Sequence, residues 1–552
     1  MKQNTLLVVL LIFAGALMGN PPEWAWMQRT FCTGNCIIYN LKSDSQDRIN
    51  VTGYFEGELS LGAITLNSAG SRDAFVAQLD VEGNWLWACS IGGTGAEYAH
   101  KIAVDAEDNI YVGGLFYQDF TVGTTLLENN GNSDIFCVIL SSAGNILNAI
   151  AVGSEDQDTL KGLAVTLDGI LFLSGNYRYS ITIGSTNLTN AYVGLFISKW
   201  DNQLNPIWAQ QASSVYGCPE CANLGTDNFG NCYITGYFLY QCAFGYPNQV
   251  ILTSQETSGY IVKLDVNGNA IWGERISDGG MGIMDSYIDP FGNSYITCDI
   301  FFIITDSMQN NRLDAFTYCG KLDFNQNWEW YNDDSAMGHC IPTKICGDET
   351  GNCYITGKLW GNYTFGDDTL TGYHNNANIY VAMANPQGQW QWGLQTYDAG
   401  YLFYLNIIDI TALETGGCVI TGSNSTDSLH FGDFFIPPSS NRYSFIVKVN
   451  GETQAISDPG IESSPQIVLI YPNPSHDIVR FQLKNSEGLT SEASIYNIKG
   501  QLVKSFPNRQ NSGVYVLNWN GCNETGNKVA SGIYILSIKT EKGIIKKIFT
   551  RL

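Results

Sequence analysis

"NVTGYF" at residues 50–55 decides how this chain is built, because six relatives of it follow at nearly equal intervals. They are "YVGGLF" (111–116), "FLSGNY" (172–177), "YITGYF" (233–238), "YITCDI" (295–300), "YITGKL" (354–359) and "VITGSN" (419–424). Measured at the fourth residue (Gly53, Gly114, Gly175, Gly236, Cys298, Gly357, Gly422), the spacings are 61, 61, 61, 62, 59 and 65 residues. A period this long, rich in strand formers and Gly-containing turns, points to a propeller or β-array, so the 552 residues need not form three or four separate domains. Aromatic content of 12% with only 14% charged residues suits stacked sheets.

The second unit shows the parts. "HKIAVDA" (100–106) and "NIYVGGLF" (109–116) are joined by a tight turn, and "DIFCVIL" (134–140) and "NILNAIAVG" (145–153) follow after a longer connection. Four short antiparallel strands make one blade. The first turn recurs as "DAEDN", "DNFGN", "DPFGN" and "DETGN", the last as "DVEGN", "DVNGN" and "DFNQN". Asp opens such turns by accepting backbone N–H bonds, and Gly or Asn closes them by tolerating positive φ. Five residues are too few for the six or more oxygens of a calcium loop. The fourth strand carries Trp85 and Trp87, Trp208, Trp272, Trp328 and Trp330, and Trp390 and Trp392. Residues two apart share a strand face, so each pair is expected to present a double aromatic slab to one neighbour, as core rather than sugar platform.

Trp26 lies 61 residues before Trp87, so "EWAWMQRT" (23–30) has the spacing of a fourth strand without a blade. The seventh unit ends "SFIVKVN" (444–450) with no tryptophan strand after it. The expected fold is therefore all-β: a seven-bladed β-propeller over 20–450, closed by the N-terminal strand, then a small Ig-like β-sandwich. Pairing the two ends removes an open sheet edge.

Residues 1–19 read as a secretory signal: Lys2, an apolar run from Leu6 to Phe13, and small residues at Ala14, Ala16 and Gly19. No later apolar stretch is long enough to span a membrane. The net charge is −24, yet from Pro472 onward 11 Lys+Arg face 5 Asp+Glu, leaving −30 on the remainder. Such acidity disfavours nucleic acid and anionic membranes as partners and keeps an exported protein soluble. Fifteen cysteines suggest buried thiols or local disulfides, with Cys346 and Cys353 placed to face each other across a hairpin. The five scattered histidines argue against a metal centre, and no cofactor is indicated, calcium being the one ion left open.

Both short turns of every blade fall at one end of the propeller, so the longer connections gather at the other, where binding is expected. That end carries Glu97, Glu155, Asp156, Asp158, Asp278, Asp285, Asp333 and Asp334, an acidic funnel suited to a cation or basic ligand. The W-x-W strand, the D-x-x-G-N-x-Y-I-T-G hairpin and the linkers "TFGDDTL" (364–370), "TVGTTLL" (121–127), "TIGSTNL" (182–188) and "SLGAITL" (60–66) together resemble the bacterial β-propeller repeats known as SBBP repeats, over residues 23–450. That resemblance implies a propeller and transfers no catalytic residue.

A polar stretch, 451–466, separates this region from a β-rich segment, 467–552. Its ordered elements are Tyr471-Pro472-Asn473-Pro474, Gly500-Gln501-Leu502-Val503, Ser531-Gly532-Ile533-Tyr534 and a basic last strand with Lys546, Lys547 and Arg551. It resembles the type A C-terminal sorting domain of the type IX secretion system, which implies the secretion machinery as partner, a Bacteroidota-type bacterium, and a secreted or outer-surface location. The expected function is a non-catalytic propeller binding an extracellular polysaccharide or surface protein. Alternatives are a propeller enzyme acting on extracellular polysaccharide, which needs a positioned pair of acids that the repeats do not single out, and a purely structural surface or matrix protein.

Overall fold

The computed structural model describes residues 22–551 except 215–218, 246–248, 277–280, 306–310, 334–339, 373–377, 398–405, 425–427, 440, 452–465, 472–478, 486–489, 498–500, 507–508, 511–512, 531 and 541–542. The signal-like segment 1–19 lies outside the described residues. Every element among them is a β-strand. The chain divides into two compact units, Met1–Ala455 and Ile456–Leu552.

In the larger unit each repeat forms a four-stranded antiparallel array. The first runs Cys36–Ser43, Ile49–Phe55, Asp73–Leu79, Trp85–Ile91 in spatial order, and the second Glu97–Val104, Ile110–Phe116, Asp134–Leu140, Ile146–Val152. The same order recurs in arrays starting at Thr159–Val165, Glu220–Thr226, Met281–Ile288 and Cys340–Gly347. The third and fourth arrays are also linked by a short pairing of Ser213 and Ser214 with Ala243 and Cys242. The last array holds Asn406–Ala412, Cys418–Asn424 and Tyr443–Asn450, and its fourth strand is Glu23–Arg29, with Glu23 opposite Asn450 and Arg29 opposite Phe445.

The repeated glycine has a steric cause. In the first array the strand pair carries a β-bulge between Ile38 and Asn40, next to the partner Gly53. A Cβ on Gly53 would stand 1.9 Å from the Ile37 carbonyl oxygen; on Gly114, 1.9 Å from that of Tyr98; on Gly236, 1.8 Å from that of Glu220; on Gly357, 1.9 Å from that of Ile341. At these four positions the bulge kinks the first strand into its partner and leaves no room for a side chain, whereas the fifth array carries the same bulge opposite Cys298.

The tryptophans tie one array to the next. Trp87 donates its indole N–H to Ser142 O at 3.1 Å, Trp208 to Val266 O at 3.1 Å and Trp330 to Pro386 O at 3.1 Å, in each case in the last turn of the following array. Trp26, on the leading strand, donates to Val81 O at 2.9 Å in the same turn of the first array. The rings lie over the turn glycines: a Cβ on Gly83 would meet Trp26 at 2.7 Å, and one on Gly144 would meet Trp87 at 2.7 Å. The expected double slab is corrected. A bulge places Trp85 opposite Leu79 and Trp87 opposite Gln78, so the pair turns to opposite faces. Trp85 packs against the core that holds Leu61 of the first array, whereas Trp87 packs against the core that holds Val112 and Phe136 of the second.

The Asp turns behave as their chemistry requires. Asp80 Oδ1 accepts the N–H groups of Glu82 and Asn84 at 3.1 and 2.7 Å, and Asp265 Oδ1 those of Asn267 and Asn269, both at 2.8 Å. Asp227 does the same and also accepts from Tyr233 Oη at 3.0 Å and Lys263 Nζ at 3.1 Å. These carboxylates are occupied by their own turns.

The smaller unit has two sheets. One pairs Gln466–Tyr471, Val479–Asn485 and Gly513–Trp519; the other is built on Thr490–Asn497, Gly532–Thr540 and Gly543–Arg551. Phe481 and Trp519 from one share a core with Ile495, Leu536 and Ile538 from the other.

Candidate functional site

The first strands of the seven arrays lie side by side in chain order, and Asn406–Ala412 of the last sits beside Cys36–Ser43 of the first. Each carries the same bulge, which sets one residue directly after it: Asn40, Lys101, Gly162, Asn223, Asp285, Lys344 and Asp409. All but Gly162 line one cavity of about 300 Å³.

These side chains bond across the gaps between arrays. Asp409 Oδ2 accepts the Asn40 amide and, at 2.9 Å, the Leu41 N–H. Asn40 Oδ1 accepts the Ile102 N–H at 2.8 Å. Asn223 donates to Asp285 Oδ1 at 3.1 Å, and Asp285 Oδ2 accepts the Ile345 N–H at 3.2 Å. Lys344 Nζ stands 3.8 Å from Asp285 Oδ1. Burial pushes the Asp409 carboxyl up to about 6 against the pull of Lys344. Burial and the Lys344 charge pull Lys101 below the usual lysine value. Burial opposes the Lys344 charge too, yet Asp285 and Asp409 hold it above the ordinary value. Two lysines and two aspartates thus form a charge-balanced collar that fastens the arrays together.

A second cluster lies where the longer connections gather. Tyr39 and His100 are the extra residues of the first two bulges, with ring centroids 4.7 Å apart. Tyr98 stacks on His100 at 6.0 Å and meets Tyr54 at 5.0 Å and Tyr117 at 6.1 Å. Arg72 lies 5.5 and 5.6 Å from the Tyr54 and Tyr98 ring centroids, donates to the Tyr98 hydroxyl, and pairs with Glu56 at 2.6 Å. Burial lowers His100 to about 4, helped by Lys101, so the imidazole is neutral at pH 7. Tyr117 is 40% exposed and the Arg72 side chain 41%, so the cluster offers an aromatic and cationic surface to solvent. Comparing repeat positions would have found Tyr39 and His100, which are 61 residues apart. Tyr98 and Arg72 leave no such signal.

Among the described residues, the acids expected to line one funnel take different places. Asp285 is in the collar; Glu155 is exposed and Asp156 half-buried. Glu97 and Asp158 are fully buried and cap their own loops, accepting from Gly93 N at 2.9 Å and Ser154 N at 2.6 Å. Burial pushes each carboxyl up to about 7. Asp333 ends a strand opposite Tyr318, while Asp278 and Asp334 lie outside the described residues. Among the described residues no group of three or more His, Cys, Asp or Glu is arranged to hold a metal, and no disulfide forms. Cys346 is opposite Tyr354 and Gly347 opposite Cys353, so the pair expected to face each other is out of register. In the smaller unit Tyr471 ends a strand, Gln501 is exposed, and Tyr534 is buried with its hydroxyl donating to Ala530 O at 2.5 Å. Gly532 and Ile533 open the strand whose register places Lys546 and Lys547 opposite Ser537 and Leu536. Pro472, Asn473, Pro474, Gly500 and Ser531 lie outside the described residues.

Residues 469–551 match the secretion system C-terminal sorting domain family. The chain thus carries a type IX sorting domain, recognised by that machinery, and is exported to the cell surface or extracellular space. The chain is similar to an uncharacterised WD repeat-containing protein of Acanthamoeba polyphaga mimivirus, 24% identical over 333 residues. That match takes in 47% of this chain and 24% of the viral protein, so the chain spans about a quarter of its relative's length. Among solved structures, a protein of unknown function from Bacteroides caccae aligns at 9% identity over 58% of this chain and 89% of its own, with a TM-score of 0.32. PorZ, a surface component of the type IX secretion system of Porphyromonas gingivalis, aligns at 12% identity over 94% and 82%, with a TM-score of 0.22. At such scores neither likeness assigns a partner or activity to this chain.

Proposed function

We propose that the larger unit is a closed seven-bladed β-propeller of SBBP-type repeats, without catalytic activity, that binds an extracellular polysaccharide after export. Three features support closure: neighbouring first strands in cyclic order, the Glu23–Arg29 strand in the last array, and the indole bond from Trp26 to the first. The observation that carries the ligand class is the Tyr54–Tyr98–Tyr117 cluster with Arg72 at the long-connection end. Tyrosine faces stack on the C–H face of a sugar ring, and a guanidinium donates to hydroxyls or to an acidic sugar's carboxylate. A glycan array probed with the exported chain tests this. Binding to a defined saccharide class, lost in Tyr117→Ala and Arg72→Ala proteins that keep wild-type Tm, is the expected result. Absence of binding to any glycan, or binding that survives both substitutions, refutes it; retained binding to a surface protein alone would favour the protein-ligand reading.

A further inference from the structure

A buried carboxylate costs several kcal/mol unless its oxygens meet donors or a cation. Asp134 opens the third strand of the second array and Asp158 immediately precedes the first strand of the third, and both are fully shielded from solvent. One oxygen of each is satisfied. Asn130 N donates to Asp134 Oδ2 at 2.8 Å, while Ser154 donates its N–H and hydroxyl to Asp158 Oδ2 at 2.6 and 2.8 Å. The other oxygen, Oδ1 of each, has no donor. Among the described residues no Lys or Arg pairs with either carboxylate.

The two loops that carry these acids interlock. Asp158 N donates to Ser133 O at 2.8 Å and Asn132 N to Asp156 O at 3.1 Å. The Ser154 and Asp156 carbonyl oxygens crowd Gly131, 2.5 and 2.2 Å from where a Cβ would sit, so main-chain oxygens stand in the same pair of loops. Gly153 is pressed against the Asp134 carboxyl, its Cβ position 2.1 Å from Cγ. The fold does not demand acids here: by register, Gly194, Ser258 and Asn378 hold the Asp134 position in three later arrays. One junction earlier, Asp73 takes donors from Ala69, Gly70 and Ser90 on both oxygens, which leaves the Glu97 Oε1 atom as that junction's single orphan.

The geometry points to a site for a hard divalent cation of the calcium class, bridging Asp134 Oδ1 and Asp158 Oδ1, with loop carbonyls and water completing the shell. Oxygen donors without thiolate or imidazole suit calcium and not zinc. A dication would supply two charges to two buried carboxylates whose Oδ1 atoms lack a donor. With only two acidic ligands, a Kd on the order of 10⁻⁴–10⁻³ M is expected, the range of extracellular modules.

Calorimetric titration of the full chain with CaCl2 tests the site, with hydrogen exchange read on the same protein. The expected result is one Ca²⁺ per chain and slowed exchange in residues 130–134 and 153–158, with Asp134→Asn and Asp158→Asn each weakening binding by roughly tenfold or more. The exchange measurement needs no variant and stands if the substitutions fail to fold. No saturable binding at millimolar Ca²⁺ overturns the site, as do segments 130–134 and 153–158 that follow pH but ignore Ca²⁺, since the two acids then share a proton. Binding that persists unweakened in both variants overturns it as well.

Discussion

Trp26→Ala removes the indole that joins the last array to the first. Truncating a fully buried Trp costs about 3–5 kcal/mol, and Trp26 is half-buried, so about 2 kcal/mol of packing is lost. Its bond to Val81 O at 2.9 Å adds about 1 kcal/mol. The total is about 3 kcal/mol. For a unit of ~430 residues the unfolding entropy is roughly 0.9 kcal/mol/K, so Tm falls by only ~3 °C. Hydrogen exchange is the sharper assay, because the damage is local. Glu23–Arg29 and Tyr443–Asn450 should lose protection, while the second to fourth arrays keep theirs. Trp87→Ala, which breaks the equivalent bond to Ser142 O, is the matched control within the chain order. If Trp87→Ala destabilises the protein and Trp26→Ala leaves both strands protected, the leading strand does not hold the ring closed and the reasoning fails.

Three further outcomes are expected. Gly236→Ala puts a methyl 1.8 Å from Glu220 O, an overlap relieved only by moving backbone, so a loss of at least ~3 kcal/mol in denaturant titration is expected; near-wild-type stability would show that the bulge is dispensable. Burial raises the native-state values of Glu97 and Asp158 to about 7, above those of the unfolded chain, so the native state holds more protons between about pH 4.5 and 7. In chelator, stability therefore falls as pH rises through that window, and Asp158→Asn flattens the slope; His100, lowered to about 4, acts in the opposite sense below about pH 6.5 and is common to both proteins. Deleting 456–552 leaves the chain inside the outer membrane, scored by cell fractionation, whereas surface display of the truncated chain would contradict the sorting assignment.

Legibility in the sequence followed the range of the forces involved. The Asp80 and Asp265 turns close on partners two and four residues away, so five letters suffice to read them. The leading strand was found because Trp26 keeps the 61-residue spacing although its partner strand is over 400 residues distant. The double Trp slab failed because a bulge, invisible to a two-residue alternation, turns Trp85 and Trp87 apart. Two of the acids expected in the funnel turn inward for a related reason. Proximity to a loop does not fix exposure, and Glu97 and Asp158 fold inward to cap their own backbones.

The amino-acid order alone determined the repeat, the turn chemistry and the position of the stray strand, since each is written in local spacing and short-range hydrogen bonds, while the export domain was legible through its likeness to a known sorting-domain family. Only the tertiary structure decided which side chains meet. Asn40 reaches Asp409 and Ile102, and Tyr98 reaches Arg72 and Tyr54, because adjoining arrays bring together first strands and loop ends that lie tens to hundreds of residues apart. Periodicity specifies each sheet, but the contacts between sheets depend on bulges and packing that no single repeat encodes.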